Sequence, residues 1–361
     1  MRKKVPFKFH EDNKRGLLIL KKKNLLMLLI ILAFSMLLLA ACGGSGQGGS
    51  TPTPVEDPDK VYVIKVGYEN QPSEPTHQGA LYWQKLVEEK SDGRLVLSLY
   101  PSSQLGTKVD AIEQMLLGAN VIYIADASFL MSYVPDIGIL SGPYLGSTFD
   151  DLFKITESDW FKEQEKELQS KGLHIVSTKW VYGTRHLLTK VPVQTPADLQ
   201  GVKIRVPNNN LFIKTLEAMG ATPTPIPWGD VYPALAQGVV EGAENPLPVL
   251  WASNQHEISK HLVLTGHMNM ISQWVGSQEY LESLPPELLQ ILKETSDEAG
   301  IYAMQFVEEQ AEEALENFRN AGVTIHEVDR GPFQNAVKGI YNEFPEWTPG
   351  LYDKLMDIIN K

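Results

Sequence analysis

Residues 61–100 read VYVIKVGYENQPSEPTHQGALYWQKLVEEKSDGRLVLSLY, and this stretch decides the fold class. Val61–Gly67 is rich in β-branched and aromatic residues and ends at a glycine where the chain must turn, which predicts a first strand. In Gly79–Lys90 the apolar residues Ala80, Leu81, Trp83, Leu86 and Val87 recur at helical spacing, with Glu88, Glu89 and Lys90 facing outward. Ser91-Asp92-Gly93 stops that helix, and Arg94–Tyr100 alternates as a second strand. The chain therefore opens as strand, helix, strand, the unit that builds parallel sheets.

The alternation continues outward from there. A helix is expected near Lys108–Leu117, a strand at Val121–Ala125 and another at Leu173–Trp180, followed by a short crossover segment, Tyr182–Thr189. A second α/β section follows. It contains a strand at Val202–Val206 closed by Pro207, a helix at Leu211–Met219 closed by Gly220, an extended stretch at Thr222–Pro227 and a short helix at Asp230–Gln237. Residues 287–321 differ in kind, reading as one amphipathic helix long enough to span two lobes. Two α/β sections, a mid-chain crossover and a bridging helix predict a two-lobed α/β architecture with a cleft, and such clefts take small molecules.

The first sixty residues carry an address. Nine basic side chains precede an apolar run from Leu25 to Ala41 of about 17 residues, broken only by Ser35, which is the pattern of a targeting segment. The only cysteine follows at once, in Leu39-Ala40-Ala41-Cys42, which resembles the lipobox of bacterial lipoproteins and makes Cys42 the expected lipidation site. Residues 1–41 are then a lipoprotein signal peptide. Residues 42–59, rich in Gly, Ser and Pro, form a flexible tether. Loss of the leader removes nine of 32 basic and two of 44 acidic side chains, leaving 23 against 42 and a charge of −19. So acidic a body argues against nucleic acid or anionic lipid as a partner, and leaves the acyl anchor to hold the membrane. With 361 residues, 43% of them hydrophobic, and a single cysteine, the body must be held by its core and not by disulfides.

Arg205 stands inside an otherwise apolar strand, Ile204-Arg205-Val206, where a charge is costly unless a counterion meets it. Its planar fork suits a carboxylate. Tyr68, Glu69 and Asn70 follow the first strand at its carboxyl end, and Asp126 follows the third, both positions where a cleft would open. The histidines show no metal-ligand spacing and no phosphate-binding loop or dinucleotide fingerprint is present, so no metal and no cofactor is expected. Nor does any constellation suggest an enzyme.

Several ordered blocks carry a resemblance. Pro196–Pro207 (PADLQGVKIRVP), Ala218–Pro223 (AMGATP), Trp228–Pro246 (WGDVYPALAQGVVEGAENP), His261–His267 (HLVLTGH) and Tyr100–Gly106 (YPSSQLG) closely resemble the solute-binding subunits of tripartite ATP-independent periplasmic (TRAP) transporters, the dicarboxylate-binding DctP type. The resemblance implies a periplasmic-binding-protein-like (type II) fold with two discontinuous lobes, residues 60–182 plus about 271–310 and residues 183–270 plus about 311–361. It implies an extracytoplasmic receptor for an organic acid, either a sugar acid or a C4-dicarboxylate, and two membrane partners, a small and a large integral subunit driven by sodium. It assigns the carboxylate grip to Arg205, a second ligand-facing arginine to Arg185, a binding amide to Asn245 and an aromatic near the ligand to Trp228. Glu244 stands open between recognising a hydroxyl and pairing with an arginine, and His267 is assigned to structure. Two other readings compete: the receptor of an ATP-driven importer, and a lipoprotein enzyme acting on a sugar acid, which would need an acid and a base poised about one bond.

Overall fold

The computed structural model describes residues 59–361, so the expected signal peptide, Cys42 and nearly all of the tether lie outside the described residues. Nine strands form one sheet: β1 Tyr62–Gly67, β2 Leu95–Tyr100, β3 Val121–Asp126, β4 Leu173–Thr189, β5 Lys203–Val206, β6 Thr222–Pro225, β7 Gly242–Pro246, β8 His261–Ser277 and β9 Thr324–His326. Their spatial order is β2-β1-β3-β8-β4-β7-β5-β6, with β9 paired to β8.

The pairing divides this sheet into two lobes. β1, β2 and β3 run parallel in lobe I, and β5, β6 and β7 run parallel in lobe II. Between them β4 and β8 pair antiparallel and pass from one lobe to the other. Asp126, the last residue of β3, lies opposite Ser272 of β8, while Pro246, the last residue of β7, lies opposite Arg185 of β4. Along the β4–β8 ladder Ser272 pairs with Trp180, and Arg185 pairs with Met268. Both parallel sets therefore aim their carboxyl ends at the same short waist, the place where open α/β sheets bind ligands.

Three differences from the sequence reading have physical causes. Leu173–Trp180 and the expected crossover Tyr182–Thr189 are one strand of 17 residues, because pairing with β8 continues through several bulges that spoil the period-2 pattern. One bulge falls at Gly183, whose φ of +124° lies in the region that favours glycine and whose added Cβ would stand 2.9 Å from Pro246. β7 and β8 carry no clean alternation since both are buried on almost every residue, which erases the polar half of the signal. Lastly, residues 311–361 do not go to lobe II as a block. β9 and the core residues Phe333 and Val337 do, but Ile340, Phe344, Leu351, Leu355 and Ile359 pack with Leu152, Ile155 and Phe161 of lobe I.

The long helix spans Pro286–Asn320, about 52 Å at 1.5 Å per residue. Leu288, Leu292, Ala299 and Ala303 sink into the lobe I core beside Trp83, Trp180 and Trp274, and Ala314 and Phe318 enter a lobe II core with Leu235 and Leu262. Trp83 and Trp180 donate their indole N–H groups to Thr295 (3.2 Å) and to the Ser296 carbonyl (2.9 Å). Gly300 lets the helix approach β4 closely, as a Cβ there would meet the Lys179 carbonyl at 2.6 Å. One helix thus fastens to both sides of the waist.

Candidate functional site

Arg205 is the third residue of β5, hydrogen-bonded between β6 and β7, with only 3% of its surface exposed. Its Nε donates to the Ile226 carbonyl at 2.7 Å, and its guanidinium lies 5.0 Å from the centre of the Trp228 indole. Burial pulls the group down to about 10, with Glu244 and Glu69 partly offsetting that, so it remains a cation at neutral pH. Among the described residues it makes no ion pair with a carboxylate, and its terminal amino groups donate no hydrogen bond. The Nη1–Nη2 edge of the fork is left without a protein hydrogen-bond partner among the described residues.

Arg185 has the opposite environment. Nε and Nη2 donate to the two carboxylate oxygens of Glu244 at 2.5 and 2.8 Å, and Nη2 also reaches the Glu244 carbonyl at 3.2 Å. Phe212 lies against the guanidinium at 4.9 Å. His267 Nε2 stands 3.4 Å from Glu244 Oε2, and Thr265 Oγ1 lies 2.8 Å from His267 Nδ1. Burial works against the Glu244 charge, yet the bound Arg185 guanidinium and then His267 hold its carboxyl well below the usual range. Glu244 is therefore an arginine partner, which settles the alternative left open by its sequence. Arg185 spends most of its fork on that partner. The structural role expected for His267 agrees with its contacts.

Trp228 is 8% exposed and packs with Val231 and Leu247 in the lobe II core while one indole face carries Arg205. The indole thus forms a face against which the guanidinium rests, a contact that the reading of an aromatic near the ligand did not include. Asn245 lies on the neighbouring strand. It follows Glu244 on β7, opposite His186 of β4, and its Oδ1 is buried without a hydrogen-bond partner. An unpaired buried acceptor costs stability, so such an atom marks a position for a donor.

The lobe I wall is charged. Lys108, at the first turn of the helix Lys108–Leu116, places Nζ 2.7 Å from Glu69 Oε2 and 3.8 Å from Asp126 Oδ2, and Ser272 Oγ donates to Asp126 Oδ1 at 3.4 Å. Burial opposes the Lys108 charge, but Glu69 and then Asp126 outweigh it and raise the ammonium above its usual range. Beside them Asn70 donates to Glu74 and lies 3.5 Å from the Tyr182 hydroxyl, and Gln71 N–H donates to Glu74 Oε1 at 2.8 Å. Burial pushes the Glu74 carboxyl up to about 7 against those hydrogen bonds. Across the waist, Asn209 of lobe II donates to the Ser128 carbonyl of lobe I at 2.7 Å, holding the lobes together.

Tyr68, too, is committed to the protein interior. Its ring is fully buried, edge-on to Trp274, and its hydroxyl sits 2.7 Å from His77 Nδ1, so it belongs to the lobe I core. Lys108, Glu74, Tyr182 and Asn209 were missed. Each sits at a helix terminus or inside the long strand, and for Lys108, Tyr182 and Asn209 the partners come from distant parts of the chain. The described residues contain no group of three or more His, Cys, Asp or Glu placed to hold a metal, and no helix among them is long and apolar enough to cross a membrane.

Residues 66–346 match the family described as bacterial extracellular solute-binding protein, family 7 (DctP). The chain belongs to that family. A solute-binding protein of Chromohalobacter salexigens is 30% identical over 293 residues, covering 80% of this chain and 86% of its own length. Two solved TRAP periplasmic solute-binding proteins superpose with a TM-score of 0.81. One, from Ochrobacterium anthropi with bound L-fuconate, is 46% identical and covers 83% of this chain and 100% of its own. The other, from Actinobacillus succinogenes with bound L-galactonate, is 41% identical and covers 83% and 99%. This DctP-family chain is accordingly a TRAP-type receptor of the extracytoplasmic space with the type II binding-protein fold, and not an enzyme.

Proposed function

We propose that this receptor captures a sugar acid of the aldonate class, gripping its carboxylate with the Nη1–Nη2 edge of Arg205. The observation that carries this reading is a buried guanidinium at the waist with no carboxylate partner, its Nε already committed to the Ile226 carbonyl. A carboxylate accepting two parallel hydrogen bonds from that edge supplies the missing counterion and fixes the ligand's direction. The unpartnered Asn245 Oδ1 then accepts from a ligand hydroxyl, and Glu69 and Asp126 offer acceptors on the facing wall. Arg185, held by Glu244, buttresses the floor of the site. The sugar acids bound by the two similar solved proteins support the same class.

Closing of the lobes on the ligand prepares the receptor for a small and a large TRAP membrane subunit, which take the acid up with sodium. Lipidation at Cys42 keeps the receptor at the membrane that holds them. Calorimetry of the purified full chain with L-fuconate and L-galactonate tests the reading. Arg205→Ala is expected to weaken binding by about 30-fold or more, since a hydrogen-bonded buried charge pair loses about 2–5 kcal/mol when one member is truncated. Unchanged affinity in that variant would remove the proposal. Cys42→Ser is expected to move the protein from the membrane fraction to the soluble fraction, and membrane retention would rule out the anchor.

A further inference from the structure

We infer that the site accepts polyhydroxy acids with one carboxylate and rejects dicarboxylic acids, because the wall facing Arg205 already holds more negative than positive charge. The inference deepens the proposed function and rests on it. The charges at the waist can be paired off residue by residue. Arg185 and Glu244 neutralise each other through two hydrogen bonds. Lys108 is shared between Glu69 at 2.7 Å and Asp126 at 3.8 Å, which leaves that wall one negative charge in excess. Of these three cations, Arg185, Lys108 and Arg205, only Arg205 makes no carboxylate contact among the described residues.

One ligand carboxylate therefore exhausts the positive charge on offer. The nearby imidazoles of His186 and His267 add none, because burial holds both neutral. A second carboxylate at the far end of the ligand would meet Glu69 and Asp126 across from Arg205, with Lys108 already engaged by both. In a water-poor cleft such like-charge contacts are strongly repulsive, whereas the hydroxyls of an aldonate can donate to the same oxygens. The Lys108 group thus selects by repulsion as well as by attraction.

The test sets acids of one carbon skeleton against each other by calorimetry on the full chain. L-galactonate carries one carboxylate and galactarate carries two, with succinate as a short dicarboxylate. L-galactonate is expected to bind about 100-fold more tightly than galactarate or succinate. Asp126→Asn keeps an acceptor for Ser272 but removes the excess charge, and is expected to narrow the galactonate-to-galactarate ratio by about tenfold. Glu69→Gln serves as the second variant, and each ratio is read within one folded protein. A dicarboxylate that matches L-galactonate in the unaltered protein overturns the inference and leaves the receptor reading standing. So does a ratio that neither variant moves. Failure of L-fuconate, L-galactonate and both dicarboxylates to bind overturns the proposed function and this inference together.

Discussion

Arg185 and Arg205 lie on neighbouring ladders of one sheet, each 3% exposed, and they do different work. Arg185 meets a buried carboxylate through two hydrogen bonds from its Nε–Nη2 edge and is part of the framework. Arg205 meets a carbonyl and an aromatic face, neither of which neutralises it. Burying a charge is costly in both places, but only the first site has repaid that cost internally. The second keeps it in reserve for a guest. Glu244 and Glu74 repeat the contrast among the acids: the first is held low by a bound arginine, and the second, with amide partners only, is pushed up to about 7.

Unfolding experiments can break this comparison. Arg185→Met strands the buried Glu244 carboxylate and is expected to cost about 3–5 kcal/mol in urea denaturation. Arg205→Met strands no carboxylate, so its cost should stay within about 1 kcal/mol. Equal losses would mean that the two arginines are framework alike.

The acid pair sharpens the same point through pH. In the folded chain Glu74 titrates at about 7 against an ordinary 4.5, so between these values the folded state holds a proton that the unfolded state has released. Its contribution to stability is therefore lost as pH rises through that window. Glu74→Gln removes this dependence, and the variant should gain about 2–3 kcal/mol on its parent between pH 4 and pH 8. A constant difference across that range would show that Glu74 is solvated.

The smallest expected effect concerns the platform beneath Arg205. Trp228→Leu removes the indole face, and affinity for L-galactonate should fall about twofold to thirtyfold, in line with about 0.5–2 kcal/mol for a cation over an aromatic ring. Trp228→Phe should retain most of it. A loss as large as that of Arg205→Ala would instead place Trp228 in direct contact with the ligand.

Much of this molecule is written locally. The strands Tyr62–Gly67, Leu95–Tyr100 and Lys203–Val206, the helix Lys108–Leu116 and the helix Pro286–Asn320 fall within one or two residues of their sequence reading, because their faces differ in polarity and their ends carry turn residues. β7 and β8 do not, since strands buried on both faces present no alternation to read. Arg205 was legible as a candidate because a charge within an apolar strand asks for a partner wherever that strand lies, whereas Asn245 was put forward by the family resemblance alone.

By itself, then, the sequence determined the α/β class, the bridging helix, an acidic body after a basic N-terminal stretch, and a cation committed to a strand interior. Only the tertiary structure decided which charges cancel. Arg185 finds Glu244 across 59 positions, and Lys108 finds Glu69 across 39, through pairings no local pattern encodes. Ion pairing depends on distances of a few ångströms between groups that the chain brings together only on folding, so which of Arg185 and Arg205 finds a carboxylate is a property of the fold.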